Sequence, residues 1–131
     1  MTAAIDRQAQ VLLVKAAEDE AVVILPGMPD GPFGFRVHQA VEELLKALLS
    51  QLSIEYRFTH DLGYLADQLT GAGEMLPLPV VEFSKLEDFA VTIRYDEIPE
   101  IHILDRPGAI ETVRILREHI VARIATLSAA P

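Results

Sequence analysis

A chain of 131 residues with a formal net charge of −9 is long enough for one domain and too short for two. Half of its residues are hydrophobic, which argues against disorder, and the scarcity of aromatics and absence of Trp leave Leu, Ile, Val and Ala to build the core. There is no Cys, so disulfides and thiolate chemistry are excluded, and the negative charge disfavours broad, non-specific binding to nucleic-acid phosphates.

The first residues, Met1 to Arg7, contain no basic stretch followed by an apolar run, and the longest apolar runs fall short of a membrane span. A cytoplasmic protein is expected. From Arg7 to Leu25, Ala9, Leu12, Leu13, Ala16, Val23 and Ile24 roughly follow a helical repeat, interrupted by a solvent-facing Glu18-Asp19-Glu20. Pro26 to Gly34 reads as a turn-rich connector; it lacks the Gly-Lys-Ser/Thr of a phosphate loop. The clearest helix runs from Phe35 to Leu52. Val37, Ala40, Val41, Leu44, Leu45, Leu48 and Leu52 form its apolar stripe, with Arg36, Gln39, Glu43, Lys46 and Ser50 opposite and Glu42 four residues before Lys46.

Thr59 is expected to cap a helix with Asp61 in its first turn, continuing through Leu65 and Leu69 until Gly71-Ala-Gly73 stops it. After the extended Leu76-Pro-Leu-Pro79, Ser84 and Glu87 stand as in a capping box, opening a helix that turns Leu86, Phe89, Ala90 and Ile93 inward. Pro99 breaks the chain again, and Asp105 with Pro107 marks the start of a last helix. That helix buries Ala109, Val113, Leu116, Ile120 and Leu127 and shows Arg114, Arg117 and Arg123 to solvent. Five helices, no alternating strand and no internal repeat give an all-α fold.

Three segments carry a family resemblance. His38-Gln39-Ala40-Val41-Glu42 followed by Lys46-Ala47-Leu48-Leu49 resembles the Gln-Gln-Ala-x-Glu-Lys-x-x-Lys-Ala helix of the HEPN family, with His38 and Glu43 as departures. Thr59-His60-Asp61-Leu62 resembles the family's Thr-His-Asp-Leu, and Arg94-Tyr95 its Arg-Tyr-Pro, with Asp96 in place of Pro. The likeness spans about Arg7 to Asp96, with a C-terminal helix over about 106–127 completing a single domain of residues 1–131. It implies an up-and-down four-helix bundle with an additional C-terminal helix. It further implies a homodimer, a minimal nucleotidyltransferase as partner in a bacterial toxin–antitoxin-like pair, and binding of a nucleotide or RNA end, with no cofactor.

Nuclease members of the family use an Arg-polar-x(4)-His pattern in a dimer cleft, without a metal. An Arg holds the scissile phosphate and a His moves a proton near neutral pH. Here Arg94 is followed by Tyr95, and seven residues separate it from His102; Arg114 and His119 match the spacing more nearly, but Ile115 stands where a polar residue is usual. As ordinary residues, Arg94 would pack on Tyr95, His102 would sit in a loop, and Arg114 would pair with Glu118. Asp96, Glu97, Glu100, His102 and Asp105 gather hard ligands without a metal-loop spacing, so no metal site is expected. His60 beside Asp61 suggests a base and its orienter, or the closure of a helix start against the bundle.

Gln39, Glu42, Lys46, His60 and Arg94 are the candidate nucleotide-binding residues; a solvated helix face is the plainer alternative for the first three. Three functions remain open: a nucleotide- or RNA-end-binding partner of a nucleotidyltransferase, a metal-independent endoribonuclease, and a structural or adaptor dimer.

Overall fold

The computed structural model describes the backbone of residues 4–95 and 99–129, and the side chains of that range apart from residues 89–105. Five helices follow one another: α1 (Arg7–Val23), α2 (Asp30–Gln51), α3 (Leu62–Gly71), α4 (Val80–Tyr95) and α5 (Pro99–Ala129). No strand occurs among the described residues. Helix α2 is the axis of the bundle and touches every other helix.

That position corrects the one-sided picture of α2. Its buried residues go nearly all round: Phe33, Val37, Ala40, Val41, Leu44, Leu45, Leu48 and Leu49, but also His38, Ala47 and Glu42. A helix surrounded on most sides cannot keep a solvated polar face, so the polar positions expected to face water are drawn into contacts between helices. The same holds for α1. Asp19 is buried against Arg36, and Glu20 pairs with Arg117 of α5 at 2.7 Å; of the acidic triplet only Glu18 is exposed.

Three helices begin earlier than expected. Helix α2 starts at Asp30, inside the segment read as a connector, with Pro29 as its N-cap. Pro32 is tolerated because the first-turn N–H groups have no intrahelical acceptor, and Asp30 places negative charge at the positive end of the helix. The turn before it is made by Gly27 at φ 77°, a left-handed conformation that favours glycine. Helix α4 starts at Val80, directly after Pro79, so Ser84 and Glu87 lie within the helix and do not form a capping box. Helix α5 starts at Pro99, with Pro107 inside it; the expected break at Asp105-Pro107 is absent, although Pro107 forgoes one helical hydrogen bond.

Helix α3 is capped by Asp61 and not by Thr59. The Asp61 carboxylate accepts the Tyr64 N–H at 3.0 Å, while the Thr59 hydroxyl accepts the Asp61 N–H at 3.1 Å. Aspartate caps at least as well as threonine, and starting at Leu62 turns both Leu62 and Leu65 into the core. The core is one cluster drawn from all five helices. To it α4 contributes Phe83 and Leu86, and α5 contributes Ala109, Val113, Leu116, Ile120 and Ile124, with Leu127 half-buried. Phe89, Ala90 and Ile93 lie outside the described side chains. Ion pairs fasten α5 across the bundle, among them Arg117 to Glu20, Arg123 to Glu74 at 2.9 Å and Arg106 to Asp30 at 3.6 Å, so Arg117 and Arg123 are half-exposed partners and not free surface charges. No helix among the described residues is long and apolar enough to cross a membrane.

Candidate functional site: a polar seam between α2, the 53–61 loop and α4

Helical spacing places His38, Glu42 and Lys46 on one face of α2, four residues apart. The extended segment that leads into α3 lays His60 over that face, and α4 brings Glu87 to its far end. Glu42 is the hub. Its side chain is only 7% exposed, with Oε2 2.8 Å from Lys46 Nζ and Oε1 2.9 Å from His60 Nδ1. His38 Nδ1 lies 3.6 Å from the same Oε1, and His38 Nε2 lies 3.9 Å from Glu87 Oε1. Glu87 Oε1 in turn accepts the Leu62 N–H at 2.7 Å, filling one of the amides that a helix start leaves without an intrahelical partner.

The seam therefore does two things. It ties the start of α3 to α2 and α4 through side chains far apart in sequence. It also orients the His60 ring, whose Nδ1 lies 2.9 Å from Glu42 Oε1 and whose Nε2 is left outside that contact. The His60 side chain is 66% exposed. A buried carboxylate that orients an exposed imidazole is the arrangement used to hold a proton donor or acceptor toward a ligand. The orienter is Glu42; the neighbouring Asp61 is occupied as the α3 cap.

Aromatic rings surround the outer edge. Lys46 Nζ lies 5.7 Å from the Tyr56 ring centre and 5.9 Å from that of Phe58, and Phe58 meets the His60 ring edge-on at 5.7 Å. On the opposite side of the loop, the Arg57 guanidinium stacks 4.0 Å from the Tyr64 ring centre, and the Arg57 N–H donates to Tyr64 Oη at 3.2 Å.

Of the sequence-nominated residues, Glu42, Lys46 and His60 come together. Gln39 is half-buried one turn before Glu42, with no hydrogen bond to the seam among the described residues. Arg94 lies in the last turn of α4 and His102 in α5, but both side chains, like those of Asp96, Glu97, Glu100 and Asp105, fall outside the described residues. Arg114 is held on the surface of α5 by Glu111 and Glu118, the latter at 2.7 Å. His119, one turn on, is half-buried with Nε2 sealed from solvent and lacking a hydrogen-bond partner among the described residues. His38, Glu87 and Phe58 were not nominated. A histidine four residues before Glu42 was the available signal for the first; the other two join the seam only through tertiary contact.

A second polar cluster lies on the other side of α2. Arg36 Nη1 donates to Asp19 Oδ1 at 2.6 Å, and the carboxyl of Glu43, whose Oε1 is buried without a hydrogen-bond partner among the described residues, lies beside that of Asp19. Two carboxyl groups brought together out of water favour a proton on one of them. With Asp19 held by Arg36, the proton belongs to Glu43. Burial pushes the Glu43 carboxyl up to about 8, with Asp19 and Glu42 adding to the rise and Lys15 opposing it.

An all-α bundle with α2 at its axis and a His–Glu–Lys seam at the start of α3 defines the class. The family model of the HEPN domain matches residues 33–124, from the first turns of α2 to near the end of α5, and the chain belongs to that family. All three segments that carried the resemblance lie inside the matched range. Searches of curated proteins and of solved structures gave no significant match.

Proposed function

We propose that this HEPN protein binds a nucleotide or the end of an RNA strand at the Glu42–Lys46–His60 seam. We further propose that it does so as the homodimeric, non-catalytic partner of a minimal nucleotidyltransferase in a bacterial toxin–antitoxin-like pair. The observation that carries the binding site is the exposed His60 ring, aimed by a buried carboxylate and set beside Lys46 and an open aromatic ring. An imidazole suits phosphate and hydroxyl oxygens and a ring suits a base, so an exposed imidazole beside an open aromatic ring supports such a ligand, while Lys46, 12% exposed, is already paired with Glu42. Arg94 is proposed as a further contact. The partner rests on the family alone.

Fluorescence anisotropy with a labelled single-stranded RNA hexamer, alongside unlabelled nucleoside triphosphates as competitors, tests the site. Binding by the wild-type protein that weakens at least several-fold in His60→Ala, with helicity unchanged, is expected. Absence of binding at the highest protein concentration reached overturns the reading. The same mixtures report on RNA cleavage: metal-independent cleavage abolished by Arg94→Ala, His102→Ala, Arg114→Ala or His119→Ala would establish the endoribonuclease in place of the binding partner. Co-expression with the product of an adjacent nucleotidyltransferase coding sequence, followed by co-purification, tests the partnership.

A further inference from the structure

Phe33 and Phe83 are fully buried, as large apolar rings are when the fold leaves room for them, yet Phe58 is 92% exposed. The ring is not on a loose segment. The Arg57 N–H is bound by Tyr64 Oη, the Asp61 N–H by Thr59 Oγ1, the His60 ring by Glu42 and the Leu62 N–H by Glu87. The backbone on both sides of Phe58 is thus fixed by hydrogen bonds, and the ring is held out in water by a braced support. Exposing such a side chain forgoes about 1.5–3 kcal/mol of burial.

We propose that Phe58 is a stacking plate for an unpaired nucleobase, so that the ligand of the seam is a single-stranded end and not a duplex. The inference rests on the nucleotide reading given above and narrows its substrate class. The His60 ring meets Phe58 at 72°, edge to face, which leaves ring surface open for a planar group. Polar side chains border the ring, with Lys46 5.9 Å and His60 5.7 Å from its centre, so a planar group laid on the plate meets hydrogen-bonding partners at its edge. Arg57, the preceding residue, forms no ion pair among the described residues and stacks on the Tyr64 ring on the opposite side of the loop, which braces the segment that carries the plate. Every base has a face to stack, but a duplex hides it, so the plate selects unpaired bases with little regard to sequence.

The chain has no Trp, so Phe58→Trp puts a single indole on the plate. Three probes are used: a single-stranded RNA hexamer, the same strand closed into a blunt hairpin, and an abasic hexamer. The hexamer is expected to quench the indole emission of the Phe58→Trp variant and to bind Phe58→Ala about tenfold or more weakly than wild type, the loss implied by one base–aromatic stack. Hairpin and abasic strands should bind weakly and equally to wild type and Phe58→Ala. If the hexamer binds wild type and Phe58→Ala alike, without quenching, the seam stands as a site and the plate does not. Failure of wild type to bind any strand removes both. Loss of a protein complex in Phe58→Ala with hexamer affinity unchanged assigns the ring to a protein interface and overturns the proposal.

Discussion

Glu42 and Glu43 adjoin in sequence and face different helices. Glu42 meets Lys46 and His60 on the α3 side; Glu43 meets Asp19 across the α1 side. Because Glu43 is raised from 4.5 to about 8, it favours the folded state most below about 4.5, and that advantage is lost as pH rises to about 8. Glu43→Gln keeps the shape and a donor for Asp19 without needing a proton. It is expected to melt a few degrees above wild type at pH 8 and to converge with it near pH 4.5, as followed by circular dichroism. An equal gap at both pH values would contradict a proton held by Glu43 in the folded state. Glu42→Ala strands Lys46, which is only 12% exposed, and is expected to cost roughly 3 kcal/mol in urea unfolding. Lys46 and Glu42 were legible from their spacing of four and His60 from its Thr-His-Asp-Leu setting. The Asp19–Glu43 pair was not: nothing local shows that α1 would press one acid onto another, and a periodic polar position looks the same whether water or a second helix covers it.

At the scale of elements, the close approach of α3 to α4 is set by Gly63. A Cβ there would stand 2.5 Å from Ser84 Oγ but 3.8 Å from Ser84 Cβ. Gly63→Ala should therefore destabilise the protein by about 1–2 kcal/mol, and Ser84→Ala in the same chain should restore most of that loss. Additive losses in the double-mutant cycle would mean that the two residues do not meet as described. Helix number, order and most core positions of α1, α2 and α5 could be read from apolar spacing, although Ile24, counted with the α1 repeat, is exposed and α2 is buried nearly all round. The start of α1 at Arg7 was also legible, but those of α2, α4 and α5 were not. Pro29, Pro79 and Pro99 each precede or open a helix, whereas Ser84-Glu87 and Asp105-Pro107 imitate starts inside helices that tertiary packing carries through. Ser84 and Glu87 face α3, one by contact with Gly63 and the other by accepting the Leu62 N–H. That role in the α3–α4 junction explains their spacing better than a cap.

For the whole molecule, α2 is both the core and the floor of the seam, so stability and the proposed binding share one element. Leu48, fully buried at its centre, is expected to cost about 2–5 kcal/mol when changed to Ala, against less than about 0.5 for exposed Val11→Ala. The HEPN membership follows from residues 33–124 as a unit, while the seam gives that frame a particular face. The most direct test of that face is an amide chemical-shift titration of the folded protein with the single-stranded RNA hexamer. Shifts concentrated on residues 53–64, Glu42 and Lys46, and much reduced in His60→Ala, are the result expected. Saturable shifts confined to the exposed faces of α1 and α5, with residues 53–64 unmoved, would contradict it.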